Sequence, residues 1–123
     1  MDDKKRQAHD LLQTFKGEDY VYGLGCFQRL GEQVAALGSR AAVVTSGIGK
    51  EWGRPIHEAT RKALSAASVT LAGDLIPGAA PNAPREDVFR ICDALRAQDP
   101  NAAVSVRALS GLHPTKAAAA YPA

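Results

Sequence analysis

The run Ala41-Ala42-Val43-Val44-Thr45 is apolar with no alternation, and nothing else in the chain constrains the fold as strongly. A strand with one wet face alternates apolar and polar side chains. A strand that does not alternate is buried on both faces, as in a parallel sheet covered by helices. A second run of this kind, Ala102-Ala103-Val104-Ser105-Val106, leads into a turn that begins at Arg107. Beyond that turn a helix is expected over Thr115 to Ala120.

The segments around these strands carry the helical period. Ala8, Leu11, Leu12 and Phe15 make Asp3 to Phe15 a short amphipathic helix or a tail. Tyr20-Val21-Tyr22 is a brief β-prone run. Phe27, Leu30, Val34 and Leu37 predict a helix over Cys26 to Leu37, with Gly38 as its stop. Pro55 to Ala67 is a helix with Ile56, Ala59, Ala63 and Leu64 facing inward, and Val69 to Ala72 is a further strand. Ile76 to Pro84 holds too many breakers for a regular element. Arg85 to Ala97 is the last interior helix, with Val88, Ile91, Cys92 and Leu95 on one face. Strands alternating with helices of this length predict βαβ units, so the expected fold is an α/β domain with a mostly parallel sheet flanked by helices. Residues 1–16 are set apart as an N-terminal helix or tail, and residues 17–123 as one domain.

Composition narrows the classes of function. The 123 residues carry a formal net charge of +2, and no basic cluster exceeds Lys4-Lys5-Arg6, which argues against a nucleic-acid partner. No apolar run approaches the roughly 20 residues of a membrane span, and the first residues are charged rather than signal-like. Cys26 and Cys92 form no C-x-x-C pair and read as reduced core residues of a cytoplasmic protein. No Ser, Cys or Thr sits at a recognised spacing from a base, so no catalytic residue is assigned. Gly23-Leu24-Gly25 reads as a turn, and Trp52 as a packing residue at a helix start.

In an open α/β sheet, ligands sit past the carboxyl ends of the strands. Ser46, which follows the first strand, and the turn at Arg107 both fall there. Phosphate needs close approach to backbone N–H groups, which favours glycine. Arg107, Ala108 and Leu109 instead bring side chains, and Leu109 sets four carbons where a phosphate should approach. Ser46 carries no acidic group to repel a 2′-phosphate, so both NAD and NADP remain open.

Asp19-Tyr20-Val21-Tyr22-Gly23, Leu30-Gly31 and Leu37-Gly38-Ser39-Arg40 through Thr45 together resemble the opening of the iron-containing alcohol dehydrogenases, a group that includes glycerol dehydrogenases and is related to dehydroquinate synthase. Pro81-Asn82-Ala83-Pro84 resembles that family's P-N-P-type loop. Asp99 to Val106 resembles the strand before its G-G-G-S turn, and Thr115-Lys116-Ala117-Ala118 the helix after it.

The resemblance implies a Rossmann-like three-layer domain that stops before a helical metal-binding domain. It implies an oxidoreductase acting on an alcohol with NAD or NADP, of which this chain would be only the cofactor-binding part. The positions it implies for the cofactor are Ser46, Asn82, Arg107, Ala108, Leu109 and Ser110. A divalent metal such as iron would belong to the absent domain, so His9, His57 and His113 are not its ligands. Only Ser110 keeps the residue of the G-G-G-S turn, and weakened dinucleotide affinity is expected. The alternative is a non-catalytic remnant or interaction module that keeps the fold without cofactor. Association of copies, or pairing through an open sheet edge, is a further expectation.

Overall fold

The computed structural model describes residues 2–22, 25–107 and 119–122. Asp2 accepts a hydrogen bond from the Lys4 N–H at 2.8 Å and so caps α1 (Asp3–Lys16), which ends at Gly17 with φ of +71°. The helix forms where its periodicity predicts one, but none of its residues is buried. A 3₁₀ turn at Cys26–Arg29 then runs straight into the short α2 (Leu30–Ala35).

The sheet is built around β1 (Arg40–Thr45). On one side β4 (Ala102–Arg107) runs parallel to it, in register from Ala41 opposite Ala102 to Thr45 opposite Val106. On the other side lie two short pieces, β2 (Thr70–Leu71) and β3 (Ile76–Pro77), both parallel to β1. Thr70 pairs with Arg40 and Ile76 with Val44, so six steps on the partner match four on β1. The two extra residues are absorbed between Ala72 and Leu75, as in a β-bulge. Ile76 and Pro77, expected as the start of a loop, are therefore strand. The breakers misled because proline is tolerated where a strand ends at a sheet edge.

A second correction concerns the end of the chain. Ala119 and Ala120, expected as the last residues of a helix, belong to β5 (Ala119–Pro122), which pairs antiparallel with β4. Residues 115–118 of that helix lie outside the described residues. The free edge of β4 presents backbone donors and acceptors that need partners, and this outweighs the helix propensity of alanine. The result is a small open sheet, mostly parallel, with helices packed on it.

One face of the sheet carries the core. Ala41, Val43, Ala102, Val104 and Val106 pack against Phe27, Leu30 and Val34 of the 3₁₀ turn and α2, and against Ile56 and Leu64 of α3 (Arg54–Ala66). Gly31 lets α2 press onto α3, since a Cβ there would lie 2.6 Å from the Ala63 carbonyl oxygen. Ala59 and Ala63, expected to face inward, are partly buried against this core, whereas Thr60 and His57 are buried outright.

The other face is anchored by Arg40. Its guanidinium donates to the carbonyl of Gln98 at 2.8 Å and of Ala72 at 3.1 Å, tying the end of α4 (Arg85–Gln98) to the bulge. No residue of α4 is fully buried, and Val88 and Phe89 are exposed. Cys92 is exposed, which corrects its reading as a core residue, whereas Cys26 is half-buried and packs against the core. Among the described residues, no helix is long and apolar enough to cross a membrane.

Candidate functional site

The order β2-β1-β4 decides where an open crevice forms. From β1 the chain crosses through α3 to one side, and from β3 it returns through α4 to the other. The connections therefore part between the carboxyl ends of β1 and β4, the topological switch point at which α/β sheets take ligands. A cleft of about 490 Å³ lies there. One wall is the loop after β1, with Ser46, Gly47, Ile48 and Lys50. A second is the Pro77–Pro81 segment after β3, and the floor is the end of β4 through Arg107.

Local chemistry sets the first wall. Gly47 has φ of +79°, and a Cβ on it would come within 2.7 Å of the Trp52 ring. Gly53 is equally crowded, against the Gly47 carbonyl. The Lys50 N–H closes the turn on the Gly47 carbonyl at 3.0 Å, and the Gly53 N–H donates to the Lys50 carbonyl at 3.1 Å. Beneath the loop, His57 Nε2 lies 2.9 Å from the Ser46 carbonyl oxygen. A carbonyl only accepts, so Nε2 carries the proton. The Thr45 hydroxyl donates to the same oxygen at 3.3 Å. The Ser46 carbonyl is thus turned toward α3. In a planar trans peptide the next N–H points the opposite way, which aims that of Gly47 away from α3.

The second wall is stapled by α4. Asp87 Oδ2 accepts from the Ala80 N–H at 2.9 Å, and Arg90 donates to the carbonyls of Pro77 at 2.8 Å and Gly78 at 3.0 Å. Arg90 Nε also lies 3.7 Å from Asp87 Oδ1. Among the described residues, the one carboxylate that lines the cleft is thus paired with Arg90, while Lys50 and Arg107 are exposed and form no ion pair.

Ser46 and Arg107, expected as cofactor contacts, line this same cleft from different strands. Asn82 lies one residue beyond the rim residue Pro81, with φ of +67°, a left-handed conformation that asparagine adopts readily in turns. Ala108, Leu109 and Ser110 lie outside the described residues, as do Gly23, Leu24 and His113. Gly25 has φ of +74°, which suits the turn read there. Trp52 packs against the hydrophobic core.

Sequence reasoning missed Lys50 and the Asp87–Arg90 staple. The signal for Lys50 was present, because Ser46-Gly47-Ile48-Gly49-Lys50 follows a buried strand directly and offers small residues with a cation. The staple had no signal, since it joins residues of α4 to a loop without periodicity. Among the described residues, no group of three or more His, Cys, Asp or Glu could hold a metal ion. No protein-family model, curated protein or solved structure matches this chain.

Proposed function

We propose that this chain is a nucleotide-binding unit whose cleft takes the phosphates of NAD or NADP, in the manner of the cofactor domain of an iron-containing alcohol dehydrogenase. The observation that carries this reading is the convergence of Ser46, Lys50 and Arg107 on one open cleft at the switch point between β1 and β4. On this reading the fold is a Rossmann-like three-layer domain, with α2 and α3 on one face of the sheet and α4 on the other. Free cysteines fit a cytoplasmic location.

The cleft suits a phosphate-bearing ligand. Lys50 and Arg107 supply charge, Ser46 a hydroxyl, and the Gly47 N–H a backbone donor on the side away from α3. Gly78 leaves the loop backbone approachable, since even a Cβ there would meet nothing nearer than the Thr45 carbonyl at 3.6 Å. Bound NAD or NADP would supply a nicotinamide that accepts or gives hydride.

Titration with NADH and NADPH, followed by cofactor fluorescence and melting temperature, tests the reading. Saturable stabilisation that needs about tenfold more ligand in Lys50→Ala or Arg107→Ala supports it. A flat response from a cooperatively folding chain removes it. That outcome favours the second reading, a fold kept without cofactor. The observation behind the second reading is β5, which pairs along the outer edge of β4 where a further parallel strand would extend the sheet.

A further inference from the structure

From Ser46 to Lys50 the loop after β1 carries no acid, so it offers no carboxylate to read a ribose by its hydroxyls. The tertiary structure brings one in from elsewhere. Asp87, in the first turn of α4, lines the cleft, and among the described residues it is the one carboxylate that does. Its Oδ2 accepts from the Ala80 N–H at 2.9 Å, which holds the side chain on the wall that follows β3. Arg90 directs its two terminal nitrogens to the carbonyls of Pro77 and Gly78, and only its Nε comes within 3.7 Å of Asp87 Oδ1. Arg90 does not line the cleft, so the pair presents its carboxylate there and not its guanidinium. Resting on the reading of the cleft as a dinucleotide site, we propose that Asp87 selects NAD over NADP. Its carboxylate accepts from the hydroxyls of the adenosine ribose and repels a 2′-phosphate in their place.

Charge and placement carry the argument. Each phosphate of the pyrophosphate bears one negative charge, and Lys50 and Arg107 offer one cation apiece. A 2′-phosphate adds further charge, and among the described residues the cleft lining holds no third Lys or Arg to receive it. Arg54 and Arg61 line a separate hollow, together with Glu51 and Glu58. β3 and β4 lie on opposite sides of β1. A pyrophosphate held between Arg107, at the end of β4, and the loop after β1 leaves the wall after β3 to the neighbouring group of the cofactor, a ribose. A carboxylate has lone pairs enough to accept from a diol while it still holds the Ala80 N–H. Both riboses of the cofactor carry that diol, but only the adenosine ribose carries the extra phosphate of NADP. Discrimination between the two cofactors therefore reports which ribose Asp87 meets.

Titration of the full chain with NADH and with NADPH, wild type beside Asp87→Asn, tests this. Asparagine keeps a side-chain oxygen for the Ala80 N–H and removes the charge. The wild type should bind NADH about tenfold more tightly than NADPH. Asp87→Asn should weaken NADH and strengthen NADPH until the two agree within about twofold. Equal affinity of the wild type for both cofactors, or a preference for NADPH, would overturn the proposal and leave the dinucleotide reading standing. Weakening of both cofactors alike by Asp87→Asn would also overturn it, since Asp87 would then only support the wall. Binding of neither cofactor by the wild type removes the proposal and the dinucleotide reading together.

Discussion

His57 Nε2 donates to the carbonyl oxygen of Ser46 across 2.9 Å, joining the first turn of α3 to the end of β1. The bond is long-range in neither sequence nor space, yet it orients the peptide that opens the candidate site. His57 is 9% exposed, so water cannot readily replace it as donor.

His57→Ala should therefore destabilise the protein by about 1–3 kcal/mol, since it removes a buried ring and the shorter of the two hydrogen bonds on the Ser46 carbonyl, leaving only the Thr45 hydroxyl at 3.3 Å. Urea unfolding measures this directly. His57→Gln, which can still reach a carbonyl with an N–H, should recover part of it. Equal stability of wild type and His57→Ala would mean the bond is dispensable.

Two glycines in the same loop should respond differently. Gly47→Ala meets both a positive φ and the Trp52 ring, and overpacking of this kind costs about 1–3 kcal/mol. Gly49 also has a positive φ, of +80°, but nothing lies within 4 Å of a Cβ there. Its alanine variant should cost only about 1 kcal/mol of backbone strain. Comparing the two melting temperatures separates crowding from strain, and the order Gly47→Ala below Gly49→Ala is the expected result.

Arg90→Ala should loosen the second wall of the cleft without unfolding the core. Arg90 holds the Pro77 and Gly78 carbonyls and steadies Asp87, which in turn holds the Ala80 N–H. Hydrogen exchange at the Ala80 amide should accelerate about tenfold, while amides of β1 and β4 keep their protection. Uniform acceleration across the sheet would show that Arg90 supports global stability instead.

Lys50→Ala and Arg107→Ala should each weaken NADH or NADPH binding about tenfold, as expected for one charge-assisted contact to phosphate. Both residues are exposed, so neither variant should shift the melting temperature. Affinity of the wild type should fall with added salt, and less steeply in either variant. Salt-independent binding would assign recognition to something other than these two cations.

Much of the architecture was legible because it depends on local patterning. The unbroken apolar run of β1 pointed to a parallel strand, and Ile56 and Leu64 marked the inner face of α3. Two failures share one cause. Ile76–Pro77 and Ala119–Ala120 carry poor local strand signals, yet each lies along an existing edge whose backbone groups require partners. The apolar stripe of α1 misled in the opposite sense, since periodicity predicts a helix with a dry face and Leu11 and Phe15 stay exposed. At the site, Ser46 was legible from its place just after β1, and Arg107, expected to open a turn, is instead the last residue of β4 and still reaches the cleft; the staple of Asp87 and Arg90 was not legible.

The sequence alone determined the class of element at most positions, because helical and strand periods are properties of neighbours a few residues apart. It also settled the net charge and which strand ends carry small or basic residues. Only the tertiary structure decided that β4 lies on one side of β1 and β2 with β3 on the other, and so where the chain connections part. That choice depends on how whole faces bury against each other, a long-range energy that no local window contains. It brings Ser46 and Lys50, 61 and 57 residues before Arg107 in the sequence, onto one cleft with that last residue of β4.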